Sequence, residues 1–194
     1  MCLGSDFIYT LYIDTHSNNL IIALLKDGVL LSLKELESLQ SHSIHTMPMI
    51  DGILKDNNLK INDIKEIIVV NGPGSFTGVR IGVTIAKTLA FTLNIPIKTI
   101  SSLLIKVISS EKPEKITLVT DRNGKFVGEF NGNEQISEYR YLKNDEYEEY
   151  IKDKNMDIID NIDIDYKKVY EYLREQEGIN PHIVNPIYVK NIEV

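Results

Sequence analysis

A chain of 194 residues with 43% hydrophobic content can fill one substantial core, or two small lobes that share a hinge. Its single cysteine, Cys2, excludes an internal disulfide framework and a cysteine-based zinc site. No continuous apolar run approaches the ~20 residues of a membrane span, and the opening MCLGSDFIYT lacks a basic region followed by a long apolar segment. The expectation is a cytosolic protein without membrane attachment.

The net charge of −7 is unevenly placed. Residues 133–177 hold 14 Asp or Glu against 7 Lys or Arg, while the remainder holds 14 of each. A neutral body with an acidic appendage is a poor match for nucleic acid, whose affinity comes largely from phosphate neutralisation. If RNA is involved, other chains are expected to supply most of the grip.

In chain order, residues 8–14, 20–25 and 29–36 read as three antiparallel strands, the second turn being Lys26-Asp27-Gly28. A helix is expected over 43–55, where Ile44, Met47, Ile50 and Leu54 share a face and Pro48 lies near the first turn. A strand (67–71), a long helix (75–94), a strand (97–100) and a shorter helix (102–109) follow, punctuated by Gly72 to Gly74 and Pro96. Strands are expected at 116–120, 126–131 and 136–142, and the acidic stretch 144–178 reads as helical, with five tyrosines supplying apolar bodies. Three antiparallel strands followed by helix, strand, helix and strand is the order of a ribonuclease-H-like half domain. Sugar kinases, actin and the heat-shock ATPases are built from that unit. The expected division is residues 1–103 for this lobe and 104–194 for a smaller acidic one whose C-terminal segment returns to the first.

The turn at 71–78, NGPGSFTG, invites a phosphate reading. It lacks the Gly-Lys-Ser/Thr of a P-loop, and the third position of a G-x-G-x-x-G fingerprint is Thr77, with no carboxylate between Asn94 and Ser102. The helix beyond it carries Gly74, Gly78, Gly82, Ala86 and Ala90 every fourth residue. Ile81, Ile85, Leu89 and Leu93 flank this stripe on one side, Val79 and Val83 on the other, giving an apolar arc wider than the ~100° one packed face needs. An interior glycine costs a helix about 1 kcal/mol relative to alanine, so the stripe implies close backbone approach. The approaching element is either the helix's own sheet or a foreign helix; the width of the arc favours both at once, sheet on one side and partner on the other.

Residues 70–103, VNGPGSFTGVRIGVTIAKTLAFTLNIPIKTISSL, resemble the signature of the TsaB (YeaZ) family, approximately GPGSFTGLRIG, a small-rich helix, G-I-P and S-S-L. Asn94 stands where that family usually has glycine. Tyr12 to Thr15, His42-Ser43 with Met47 to Ile50, Arg122 to Gly124 and Pro186 to Val189 agree with further family landmarks in order. The resemblance implies an actin-like, two-lobed fold (the ASKHA class) and mixed sheets. It implies a partner role beside a TsaD-type transferase making threonylcarbamoyladenosine next to the tRNA anticodon, together with a TsaE-type ATPase. ATP and metal then belong to the partner subunits, tRNA is met mainly through the complex, and the same surfaces can form a homodimer. The expected interface comprises His42, Met47, Ile50, Leu54, Gly78, Val79, Gly82, Val83, Ala86 and Ala90. The expected structural turn comprises Gly72, Pro73, Gly74, Ser75 and Arg80.

The competing reading is an independent ATP-binding enzyme of the sugar-kinase or heat-shock ATPase superfamily. Against it, the first loop, Asp14-Thr15-His16-Ser17, lacks a glycine that would let backbone amides approach phosphate. Asp14 and Thr15 read as a degraded phosphate loop, with Asp14 either a relic or, preferably, a cap for the backbone that follows. In the family alignment Thr120 takes the position of an expected aspartate and Asp121 follows one residue late, on the other strand face. His42 and His45 are three apart without a third ligand, so no metal pair is expected, and Ser41 and Ser43 read as N-cap candidates. No catalytic residue is expected.

Overall fold

Alternation along the first strands decides the architecture. In β1 (Tyr9–Asp14), Leu11 and Ile13 point into one core while Tyr12 points into another. In β2 (Asn19–Lys26), Leu20, Ile22 and Leu24 oppose Ala23 and Leu25, and in β4 (Ile64–Val70), Ile67 and Val69 oppose Ile68 and Val70. A sheet apolar on both faces must be covered on both. The computed structural model describes residues 7–37 and 41–189, with Cys2 outside them. Its first sheet has the order β3-β2-β1-β4-β5, with β3 at Val29–Glu37 and β5 at Ile97–Ile100. The first three strands form an antiparallel meander, and β4 and β5 run parallel to β1.

Helices α1 (His42–Asp56) and α2 (Phe76–Leu93) cover one face; α3 (Ser102–Ser109) and α5 (Tyr166–Arg174) cover the other. By length and composition α2 could cross a bilayer, but here it lies along β4 and β1. Ser75 caps its first turn by accepting from the Gly78 amide at 3.2 Å. It ends at Asn94, whose φ of 53° is left-handed. Glycine suits that position best and asparagine next best, which accounts for the departure from the family pattern.

The second sheet has the order β10-β6-β7-β8, with β9 also on β7. Its strands are β6 (Glu114–Asp121), β7 (Gly124–Asn131), β8 (Glu134–Gln135), β9 (Arg140–Lys143) and β10 (Asp157–Ile159). Helix α3 belongs to both layers: Ile105 and Ile108 enter the first core, Leu103 and Val107 the second. The far face of the second sheet is closed by α4 (Asn144–Ile151) through Tyr147.

The acidic stretch departs from the helical expectation. It divides into α4, β10 and α5, because Asp157 to Ile159 pair in parallel with Lys115 to Thr117 of β6. Helix α5, capped by Asp165, packs on the first sheet through Tyr166, Val169 and Leu173. The strand expected at 136–142 is likewise replaced by the short β8 and β9. Under α5 a buried ion pair spans two strands: Lys98 Nζ lies 2.8 Å from Glu66 Oε2, and Thr10 donates to Glu66 Oε1 at 3.3 Å.

Candidate functional site

Four chain segments meet at the glycine turn. The Ser75 amide donates to the His16 carbonyl at 2.7 Å, and a methyl on Gly74 would lie 2.2 Å from that same oxygen. The Gly72 carbonyl accepts from the Ser102 amide at 2.8 Å, and the Pro73 carbonyl accepts from the Ser102 hydroxyl. The Asn71 carbonyl accepts from the Ile187 amide at 2.7 Å. The turn, with Gly72-Pro73 in the cis form, therefore fastens β4 to the β1–β2 loop, to the start of α3 and to the C-terminal segment.

The β1–β2 loop is itself closed. Asp14, buried, accepts from the His16 amide at 3.0 Å and pairs with His16 Nδ1 at 2.6 Å. Tyr12 donates to its other oxygen at 3.4 Å; burial, and then the nearby Asp14 carboxylate, push the Tyr12 phenol well above its ordinary range. The Thr15 hydroxyl donates to the Gly78 carbonyl at 2.7 Å. Asp14 thus turns its own backbone, and Thr15 ties the loop to α2. A phosphate here would have to displace protein partners that already hold these groups.

The small stripe of α2 faces inward, a correction to the expected interface. A methyl on Gly78 would come within 2.2 Å of the Thr15 carbonyl oxygen, and one on Gly82 within 2.3 Å of Thr15 Oγ1. Gly78, Val79, Gly82, Val83, Ala86 and Ala90 are all buried against the chain's own sheet. Ile50 and Leu54 enter the same core, and His42 is buried with Nε2 2.7 Å from the Ser17 carbonyl, anchoring the start of α1 to the β1–β2 loop. Of the expected interface residues only Met47 is exposed, at 44%. The glycines mark the close approach of the β1–β2 loop, an approach that periodicity alone cannot assign to one neighbour or another.

What remains open is the outer seam between α1 and α2. Ser43, Met47, Phe76, Thr77, Arg80, Ile81, Thr84 and Ile85 line a shallow groove of about 510 Å³. Phe76 of α2 is 42% exposed, and Ile44 of α1 is 69% exposed. The Arg80 guanidinium sits 3.7 Å from the Phe76 ring centre, and its Nε donates to the Tyr188 hydroxyl at 2.8 Å. Lys87 binds the His182 and Val184 carbonyls at 3.2 and 2.8 Å, so cations of α2 hold the C-terminal segment. Sequence reasoning placed Ile81 and Ile85 on the flank of the stripe without assigning them to a surface, and missed Phe76 and Tyr188. Their signal was an aromatic beside the capping serine and a lone tyrosine in the closing Pro-Ile-Tyr.

Elsewhere the candidates do not converge. Asp121 accepts from the Tyr141 hydroxyl at 3.2 Å at the tip of the β6–β7 hairpin, and Thr120 is exposed. Ser41 takes the position before the first residue of α1. Among the described residues, no cluster of three or more His, Cys, Asp or Glu has the placement to hold a metal ion.

A meander extended by parallel strands, linked through a shared helix to a second, smaller sheet, defines an actin-like fold of the ASKHA class. Two solved structures share it at 18% identity. One, an uncharacterized protein with similarity to peptidase YEAZ from Pseudomonas aeruginosa, has a TM-score of 0.76 over 94% of this chain and all of the other. The second, YeaZ from Pseudomonas aeruginosa, has a TM-score of 0.74 over 93% and 99%. Residues 36–142 match the family model described as "TsaD: tRNA N6-adenosine threonylcarbamoyltransferase". The tRNA threonylcarbamoyladenosine biosynthesis protein TsaB of Bacillus subtilis is 45% identical over 93 residues, 48% of this chain and 41% of that protein. The TsaB of Haemophilus influenzae is 40% identical over 93 residues, 48% and 39%. The matched stretch spans about two fifths of these curated relatives. The family model covers more than half of the chain, which belongs to that family and has TsaB proteins among its relatives.

Proposed function

We propose that this chain is a non-catalytic partner subunit in the biosynthesis of threonylcarbamoyladenosine in tRNA. It docks a TsaD-type transferase through the α1–α2 groove, within a complex that also contains a TsaE-type ATPase. ATP and metal are held by those partners, and tRNA is engaged mainly by the assembled complex. The names of the relatives support the pathway. The observation that carries the docking role is the groove itself, with Met47, Phe76, Ile81 and Ile85 on the outer faces of two helices whose inner faces are filled. Exposed aromatic, Met and Arg side chains around a concave seam are the composition of interface anchors. The closed β1–β2 loop supports a role without nucleotide chemistry of its own.

Titration calorimetry of the purified chain with the TsaD-type subunit of the same organism tests this. Met47→Glu and Thr84→Trp alter only exposed groove side chains. Each is expected to weaken association by on the order of 100-fold, the size of an interface anchor, with the melting temperature unchanged. Equal affinity for both variants and the parent refutes the docking face.

A further inference from the structure

We propose that the chain seated in the α1–α2 groove presents a carboxylate to Arg80. This rests on the docking reading above and names the chemistry of the partner. Arg80 lines the groove with its guanidinium held in place, stacked on Phe76 and bonded through Nε to Tyr188. Among the described residues no carboxylate pairs with it. The remaining N–H groups lie in the fork that a carboxylate matches with two parallel bonds.

The surroundings have one sign of charge. Neither α2 nor residues 181–188 contain an Asp or Glu, although the whole chain carries a net charge of −7. On α1, Asp51 pairs with Lys55 and Asp56 with Lys34. Docking an apolar helix would strip water from Arg80, and a desolvated guanidinium without an anionic partner opposes association. The partner must therefore supply the anion. A second copy of this chain would bring the same acid-poor face, so the occupant is a different chain, a helix with apolar residues around one Asp or Glu.

The test measures affinity of the full chain for the TsaD-type subunit by calorimetry. Arg80→Met is expected to weaken binding at least about thirtyfold, as loss of one member of a desolvated charge pair does, and Arg80→Glu further. Changing the Asp and Glu residues of the partner's docking helix singly to Lys should yield one variant that binds Arg80→Glu better than the unmodified subunit does. Matched melting temperatures establish that the variants fold. Binding within about threefold for both Arg80 variants, with Met47→Glu still disruptive, overturns the carboxylate and leaves groove docking standing. No effect of Met47→Glu overturns docking itself. Weakening at Arg80 that no partner carboxylate restores overturns the proposal in favour of helix C-terminal carbonyls. Undiminished subunit binding by Arg80→Glu, with lost binding of a tRNA anticodon stem-loop, overturns it in favour of phosphate.

Discussion

Gly82→Ala separates a tightly packed glycine from an ordinary one. In a loosely packed helix the change stabilises by about 1 kcal/mol, because alanine is the better helix former. Here the new methyl would lie 2.3 Å from Thr15 Oγ1, about 1 Å inside a normal contact. One response is rotation of Thr15, which gives up its 2.7 Å bond to the Gly78 carbonyl and costs about 1–3 kcal/mol in a buried setting. The other is movement of α2 away from β1, at about 1–3 kcal/mol for overpacking. After the helix gain is subtracted, the expected net change is a loss of about 0–2 kcal/mol. Thr15→Ala removes the obstructing oxygen and leaves the Thr15 Cβ at 3.4 Å, an ordinary contact. In that background Gly82→Ala should recover its helix gain, a coupling of about 2 kcal/mol in a double-mutant cycle read by urea denaturation. Stabilisation by Gly82→Ala alone, or additivity in the cycle, would refute the reading that Thr15 of the β1–β2 loop fixes this glycine.

Two further perturbations probe the buried charges. Lys98→Ala leaves the Glu66 carboxylate buried beneath α5 with Thr10 as its one hydrogen-bond donor among the described residues, and should lower the unfolding free energy by about 3–5 kcal/mol. A loss below about 1 kcal/mol in urea melts would contradict that account. At Glu129, burial raises the carboxyl pKa, but hydrogen bonds from Lys154 and Tyr150 and the charges of Lys154 and Arg140 outweigh it, leaving the group below 4.5. A carboxyl depressed on folding stabilises above its unfolded value and loses that contribution as pH falls through the folded one. Lys154→Met should therefore be less stable than the parent by a constant margin above pH 4.5, and the margin should close below it. A margin unchanged at pH 3 would exclude the pairing as its source.

Much of the first sheet was legible because β1, β2 and β4 alternate between two cores, as Leu11, Tyr12 and Ile13 do in β1. The corner at Gly72 to Ser75 was legible through its glycines and its capping serine. The partner of the small stripe was not. Glycine every fourth residue declares that some backbone comes close, and Thr15, some sixty residues earlier, carries no mark that it is the neighbour. The acidic region was misread because Asp157 to Ile159 are too few to display strand alternation. Tyrosines at 166, 170 and 172 did signal an apolar helix face, but not that it would cover the first sheet.

The signature and the groove are two sides of one construction. Thr15 draws the start of α2 close to β1, and α1 is fixed at its first residue by His42 bonding Ser17 in the same loop. The β1–β2 loop thereby sets the spacing of both helices. Their outer residues Met47, Phe76, Ile81 and Ile85 form a seam only at that spacing. Arg80 sits one turn beyond the capped end of α2 and reaches Tyr188, whose segment is held in turn by Asn71 of the same corner. Residues of the glycine motif that contact no partner thus decide the width of the surface on which a partner would lie. That is why so specific a motif can surround a turn whose Asn71, Gly72, Pro73 and Ser75 backbone groups bond to the chain's own segments.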